Sequence, residues 1–180
     1  MIYNSCFPPN IEVVDWFSHH SSGHSVTMQL LSANPNNGGG NWIGLALYAH
    51  FSDLRDVTNF GQQIPHNYLT CHMETERISL KPVHQYRIIN DECKKTSSNS
   101  EFIWVSYIPR SWFGDQLSSC RYIEASFESG KQGIRVQKCG LCLLDGQGMK
   151  KFKLTINHCV TLRDRFLVST PNDKGKNVMQ

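Results

Sequence analysis

The chain has 180 residues, of which 39% are hydrophobic and 18% charged, with a formal net charge of +3. This length and apolar content suffice for one folded domain with a buried core and exclude a disordered chain. No apolar run reaches about 18 residues, and Lys and Arg form no basic stripe before residue 150, so we expect neither a membrane span nor nucleic-acid binding.

The cysteines and the N-terminus indicate the compartment. Seven cysteines form an odd set without the regular spacing of a disulfide framework. The first ten residues, MIYNSCFPPN, lack the apolar stretch of a secretory signal. The sequence therefore predicts free thiols in a cytoplasmic protein, with the nucleus as a second compartment.

The first informative segment is VVDWFSHHSSGHSVTMQL, residues 13–30, which holds Asp15, three histidines and four serines. Alternating polar and apolar residues over 25–30 predict a half-buried strand, with 13–17 as the strand before it and Ser21-Ser22-Gly23 as their turn. Catalytic triads and zinc sites usually draw their residues from separate segments, so this clustering favours a hairpin over Ser/His/Asp catalysis or metal binding.

The middle of the chain contains two strong and several weaker strand patterns. Residues 34–41 form a polar, glycine-rich loop, and 42–51 are apolar in both phases, which predicts a central strand or one covered on both faces. The second strong strand is 102–108, ending before Pro109. Weaker patterns predict strands at 69–73, 77–80, 84–89 and 122–127.

A change of phase marks the segment 134–144. Ile134 and Val136 are out of phase with the apolar residues that follow, so one extra residue near Lys138 predicts a β-bulge. Cys139 shares the later apolar face and Cys142 points away from it, which favours buried thiols over a zinc site completed by His158.

The C-terminal segment is predicted as a strand and a tail. Residues 152–156 alternate apolar residues with lysine and threonine, as in an edge strand, and 170–180 are expected to be disordered. No pattern indicates an amphipathic helix of three turns, so the residues alone predict a β-sandwich or barrel. The predicted core comprises Trp16, Val26, Met28, Trp42, Leu45, Leu47, Trp104, Phe127, Val136 and Leu141.

Four stretches together resemble a known family. They read VVDWFSHHSSGHSV at 13–26, WIGLALYA at 42–49, FIWVSYIPR at 102–110 and VQKCGLCLL at 136–144. In this order they are similar to motifs of the C-terminal jelly-roll/Ig-like domain that follows the leucine-rich repeats of plant TIR-type nucleotide-binding immune receptors. The resemblance covers about 7–145. It departs at Val14 and Asp15, where the family has Pro and Glu, and 146–180 match nothing in it.

The resemblance implies a fold and a role. It implies an all-β, two-sheet antiparallel β-sandwich over residues 1–169. In the family, this domain and the leucine-rich repeats of the same receptor sense a pathogen effector protein, and the receptor oligomerises so that its TIR domains cleave NAD. The chain contains no TIR, P-loop or repeat sequence. We therefore expect a non-enzymatic recognition module without a cofactor, monomeric when isolated.

The candidate contacts with a partner lie in two loops, at Asn36, Asn37, Asn41, Arg110, Trp112 and Phe113. Tryptophan and arginine often anchor interfaces, but Trp112 and Phe113 suit packing across the sandwich end equally well. The asparagines suit a solvated linker better than a binding loop. A carbohydrate-binding jelly roll using Trp112, Asp115 and Gln116 is the alternative function.

Overall fold

The computed structural model describes residues 1–9, 15, 17–30, 41–53, 67–88, 101–117, 119–130 and 134–169. The strands of this part of the chain are β1 (Tyr3–Phe7), β2 (His19–Ser22), β3 (Ser25–Gln29), β4 (Gly44–Asp53), β5 (Asn67–Glu74), β6 (His84–Ile88), β7 (Glu101–Pro109), β8 (Tyr122–Ser129) and β9 (Ile134–Leu144). The helices are α1 (Arg110–Phe113) and α2 (Gly146–Ser169).

The strands form two antiparallel sheets. One sheet has the order β1-β7-β4-β9-β2, and the other has the order β3-β8-β5-β6. Inward-facing side chains of both sheets belong to one buried apolar cluster. The predicted two-sheet antiparallel β-sandwich is confirmed.

The core between the sheets is organised around Trp104, whose side chain is fully buried. The rings of His84 and Tyr86 lie parallel to its indole, and the Phe127 ring meets it edge-on. Burial of a large aromatic side chain is among the strongest single contributions to a core. Seven predicted core residues are buried: Val26, Met28, Leu45, Leu47, Trp104, Phe127 and Leu141. Trp42 and Val136 are partly buried against the same cluster, and Trp16 lies outside the described residues.

The strand β4 lies at the centre of its sheet and is covered on both faces, as its apolar sequence predicts. Leu45 and Leu47 face the other sheet, whereas Ala46 and Tyr48 belong to a second apolar cluster on the outer face. The Tyr48 ring lies over Gly140 on the neighbouring strand, in the space that a Cβ would occupy. A side chain at position 140 would therefore displace this ring.

The predicted bulge in β9 is confirmed. His50 pairs with Lys138 and Phe51 with Val136, which leaves Gln137 as the extra residue. Its carbonyl accepts a hydrogen bond from the Gly23 amide at 2.9 Å, and its side-chain amide donates to Ser52 at 2.7 Å. The bulge reverses the phase, so Cys139 faces the core between the sheets and Cys142 packs against the outer cluster.

The predicted hairpin near the N-terminus is wrong. Strand β2 pairs with β9 in the five-stranded sheet, whereas β3 pairs with β8 in the other sheet. The chain crosses between the sheets at Gly23, whose φ of 113° suits glycine and strains other residues. The bend at Gly23 agrees with the predicted turn, but Ser21 and Ser22, which were predicted to lie in that turn, belong to β2. The predicted strand at 13–17 lies mostly outside the described residues. Local pattern does not show which sheet each strand joins.

One further prediction is wrong, and one strand was missed. Residues 77–80 do not form a strand, since a single bridge joins Glu74 to Ser79 and a turn lies between them. Strand β1, which pairs with β7, was not predicted. Its sequence, YNSCF, carries no regular alternation.

The predicted last strand at 152–156 is wrong, because these residues lie within the 24-residue helix α2. Phe152, Ile156 and Cys159 are buried and share one helical face, which packs on the outer side of the five-stranded sheet. Leu154, by contrast, is 71% exposed. The last described element is thus a helix rather than a strand, and 170–180 lie outside the described residues.

The start of α2 is defined by Asp145. Its carboxylate accepts a hydrogen bond from the Gly148 amide at 2.7 Å, and its carbonyl accepts one from Met149 at 2.9 Å, as at a helix N-cap. None of the helices in the described ranges is both long and apolar enough to cross a membrane.

Candidate functional site

One end of the sandwich collects the loops that follow β7 and β9 and the entry to β4. A shallow, open depression at this end, here called the end groove, is lined by Asn41, Trp42, Ile43, Pro109, Arg110, Ser111 and Gly146. Asn41 and Arg110, two predicted contacts that are distant in sequence, therefore lie at one surface feature.

Backbone pairing fixes the rim of the end groove. The Arg110 amide donates to the Ile43 carbonyl at 2.9 Å, and the Ile43 amide donates to the Leu144 carbonyl at 2.7 Å. The Tyr107 hydroxyl also donates to the Ile43 carbonyl, at 3.1 Å. The Tyr107 ring occupies the space that a Cβ on Gly44 would need. These contacts join the ends of three strands, so the rim is held rigidly in position.

The wall of the groove combines a positive charge with aromatic surface. The Arg110 guanidinium lies 4.9 Å from the centre of the Trp42 ring, and its Nη1 donates to the Trp42 carbonyl at 3.4 Å. The Trp42 ring in turn meets Phe113 edge-on. This cation–π contact holds the Arg110 guanidinium against the Trp42 ring. Ile43 adds apolar surface, since it is 42% exposed.

The structure separates the other predicted contacts. Phe113 is only 1% exposed and belongs to the core between the sheets, so the packing alternative holds for it. Trp112 is half-buried, meets Phe113 edge-on and also packs against this core. Asn36 and Asn37 lie outside the described residues. Of the four candidates that the structure describes, Asn41 and Arg110 are thus the ones exposed at the end groove.

Side-chain hydrogen bonds join the loop after β5 to the loop before β8. The Gln116 amide accepts from the Lys81 backbone N–H and donates to its carbonyl, both at 2.8 Å. The Glu76 carboxylate accepts from the Arg121 amide at 2.7 Å, and this backbone hydrogen bond holds the pKa of Glu76 below its usual range. The two hydrogen bonds to Lys81 use one donor and one acceptor site of the Gln116 amide and fix its orientation.

The zinc alternative is not assembled in the structure. Cys139 faces the core between the sheets, Cys142 faces the outer cluster, and His158 is exposed on α2. Across the described ranges, no group of three or more His, Cys, Asp or Glu side chains is placed to hold a metal ion. The six described cysteines form no disulfide with one another, and Cys93 lies outside the described residues.

A hydrolase site at the N-terminal segment has little geometric support. Ser18 and His19 are hydrogen bonded at 2.8 Å, but they are adjacent and at the surface, and His20 bonds instead to the Tyr48 hydroxyl at 3.0 Å. Burial raises the pKa of Tyr48 to about 12, which keeps this phenol protonated. Histidine is thus used here to satisfy a buried hydroxyl.

A second serine–histidine pair lies in the core. Ser106 donates to the Tyr3 carbonyl at 2.9 Å and therefore accepts from Nε2 of His84, which lies 2.8 Å away. Ser106 has no exposed surface, and burial lowers the pKa of His84 to about 4. A nucleophile needs a base that takes its proton and a route for substrate. His84 cannot take the Ser106 proton, because that proton is bonded to the Tyr3 carbonyl. Substrate has no route to Ser106, because the residue is fully buried.

Comparisons with known proteins add no relatives. No family model matches the chain, and a search of curated proteins gives no significant match. The similarity to receptor C-terminal domains therefore stays a prediction from the four motifs.

Trp42, Ile43 and Gly146 line the end groove but were not predicted as contacts, and Trp42 was assigned to the core. Ile43 was assigned to the apolar strand that begins at Trp42, although its exposure follows from its position just before β4. Gly146 was assigned to no element from the sequence, and it is the first residue of α2. The signal that could have found Ile43 is its place next to the polar loop at 34–41.

Proposed function

We propose that the chain is the effector-recognition module of an intracellular plant immune receptor and that it binds its partner protein through the end groove. The observation that carries the proposal is the meeting of Asn41 and Arg110 at one open surface. Both residues were chosen as contacts from sequence, and 68 positions lie between them. Loops fixed at the end of a rigid sandwich are a common place for recognition.

The chemistry of the groove favours a protein partner over a small molecule. Arg110 and Trp42 are the residue types most often found at the energetic centre of protein interfaces. Ile43 and Pro109 add apolar surface around them. Small-molecule sites are usually enclosed and bury most of their ligand, whereas this groove is open.

The proposal includes the context implied by the sequence motifs. The leucine-rich repeats of the same receptor would share the effector with this domain, in the cytoplasm or nucleus. The chain would carry no catalytic residue and no cofactor, and the receptor would oligomerise after recognition. A carbohydrate-binding role gains no support from the end groove, because none of Trp112, Asp115 and Gln116 is among the described residues that line it.

The proposal predicts a loss of effector-triggered cell death when the groove is altered in the full receptor. We would test Arg110→Ala and Ile43→Asp separately, in leaves infected with a pathogen strain that activates the wild-type receptor. Loss of an interface anchor typically costs about 2 kcal/mol or more, equivalent to roughly 30-fold in affinity. Cell death should therefore be strongly reduced while the receptor accumulates at its normal level.

Matched variants away from the groove serve as controls. Arg135→Ala removes an exposed arginine at the start of β9, and Leu154→Asp introduces the same charge at an exposed position on α2. Both should leave cell death intact. Equal loss in the groove and control variants, or full cell death with Arg110→Ala and Ile43→Asp, would contradict the proposed site.

A further inference from the structure

The four sheet edges differ in how well they are protected against pairing. Proteins usually protect an edge with lysine, proline, a bulge or a covering segment. Strand β1 has three buried residues of five, β6 carries Arg87, and β2 has four residues and lies beside the bulge of β9. Strand β3 reads SVTMQ and contains no charge, proline or bulge. It is the least protected edge of the described strands.

The hydrogen-bond phase shows which groups of β3 face outward. The Phe127 amide donates to the His24 carbonyl at 2.7 Å, and the Leu30 amide donates to the Arg121 carbonyl at 2.8 Å. Antiparallel pairs alternate, so the even-numbered residues of β3 bond to β8 and the odd-numbered ones point away from it. No described strand pairs with that side, which presents the backbone groups of Ser25, Thr27 and Gln29.

The surface beside this edge is acidic. Thr27 pairs with Glu124 on β8, and Glu124 pairs with Glu74 on β5, all on the outer face of the four-stranded sheet. Like charges directly opposite each other are destabilising, so a positive charge placed beside Glu124 and Glu74 would reduce their repulsion. Strands lie about 4.8 Å apart, so a residue opposite Thr27 on an added strand would be roughly 10 Å from Glu124, within reach of a lysine.

We propose that the free edge of β3 binds an extended protein segment in which apolar and basic residues alternate. Backbone hydrogen bonds to Ser25, Thr27 and Gln29 add the segment as a fifth strand of this sheet. Its basic residues lie opposite these three and face the glutamates, while its apolar residues lie opposite Val26 and Met28. This surface is separate from the end groove and does not depend on the function proposed for it.

A second copy of the chain is a poorer occupant by charge. Pairing of β3 with its own copy would continue the sheet across a two-fold axis and bring two acidic faces side by side. A basic segment removes that repulsion. Strand addition gains affinity from the backbone and selectivity from alternate side chains, so the lysine positions of the partner should set its preference.

The probe is an eight-residue, end-capped peptide of alternating lysine and valine, titrated against the full 180-residue chain. It should slow hydrogen exchange at Ser25, Thr27 and Gln29, and a glutamate–valine peptide of the same length should not. A lysine–valine peptide methylated at the backbone nitrogens of its lysines should bind about tenfold more weakly, because it lacks the amide donors. This comparison uses the unaltered protein, so it does not depend on the folding of a variant.

Variants of the protein give a second readout. Thr27→Pro removes an outward donor without touching the bonds to β8 and should weaken binding about tenfold, whereas Thr27→Val should bind like wild type. Glu124→Gln should reduce the preference for lysine over glutamate peptides. The proposal is overturned if the methylated peptide binds equally well or if protection falls on β6 instead. It is also overturned if sedimentation shows a dimer that Thr27→Pro dissociates, since the occupant is then a second copy.

Discussion

At the scale of single residues, His84 shows how the fold uses a titratable group as a core residue. Its ring is 4% exposed, stacks on Trp104 and donates to Ser106. Ser106 passes the network on to the Tyr3 carbonyl, which joins β6, β7 and β1. Burial lowers the pKa of His84 to about 4, so the ring is neutral near pH 7. The network is thus built for a neutral histidine.

His84 should make stability fall in mild acid. The pKa is about 6.5 in the unfolded chain and about 4 in the folded one. Between these values the unfolded chain binds more protons, so the free energy of unfolding decreases as pH falls through this window. The loss from pH 7 to pH 5 should be about 2 kcal/mol. Denaturant unfolding of wild type and His84→Gln at both pH values measures it.

A matched variant separates burial from hydrogen bonding. Ser106→Ala removes the partner hydroxyl and keeps the buried imidazole, so it should be less stable but retain the pH dependence. His84→Gln should lose most of the pH dependence of stability. An unchanged pH dependence in His84→Gln would mean that other groups cause the acid sensitivity.

At the scale of elements, a strand or helix could be predicted where its sequence pattern allows only one interpretation. Strands β4 and β7 are apolar in both phases, and the phase change in β9 has one simple explanation, so all three were predicted. The sequence KFKLTI at 151–156 alternates lysine or threonine with apolar residues, as a strand does. The spacing of Phe152, Ile156 and Cys159 also fits one face of a helix. Only the apolar outer face of the five-stranded sheet decides between them, and that face is a tertiary feature.

A pair of substitutions in α2 distinguishes helix from strand in solution. Phe152→Ala should cost about 3–5 kcal/mol, because the ring is buried against the sheet. Leu154→Ala should change stability by less than about 0.5 kcal/mol, because the residue is exposed in a helix. In a strand both residues would share one face and cost similar amounts. Chemical denaturation of the two variants decides the matter, and a comparable loss from both would refute the helix.

At the scale of the whole molecule, the sandwich keeps its apolar cores apart from the proposed recognition surface. The apolar cores lie between the sheets and beneath α2, and the end groove lies where strands β4, β7 and β9 meet the loops. Sequence predicted this arrangement in part. Arg110 and Asn41 were selected correctly as surface residues, but an aromatic pair such as Trp112 and Phe113 fits a core or an interface equally well until the neighbours are known.

The central claim is that a pathogen protein contacts the end groove, and site-specific photo-crosslinking tests it most directly. A photoreactive amino acid would replace Ser111 at the groove or, as a control, Arg135 at the opposite end of the sandwich. Both versions of the full receptor would be expressed in infected and uninfected leaves, irradiated and analysed by mass spectrometry. We predict an adduct with a pathogen protein at position 111, in infected tissue only, and none at position 135. No pathogen adduct at position 111, or equal adducts at both positions, would contradict the account.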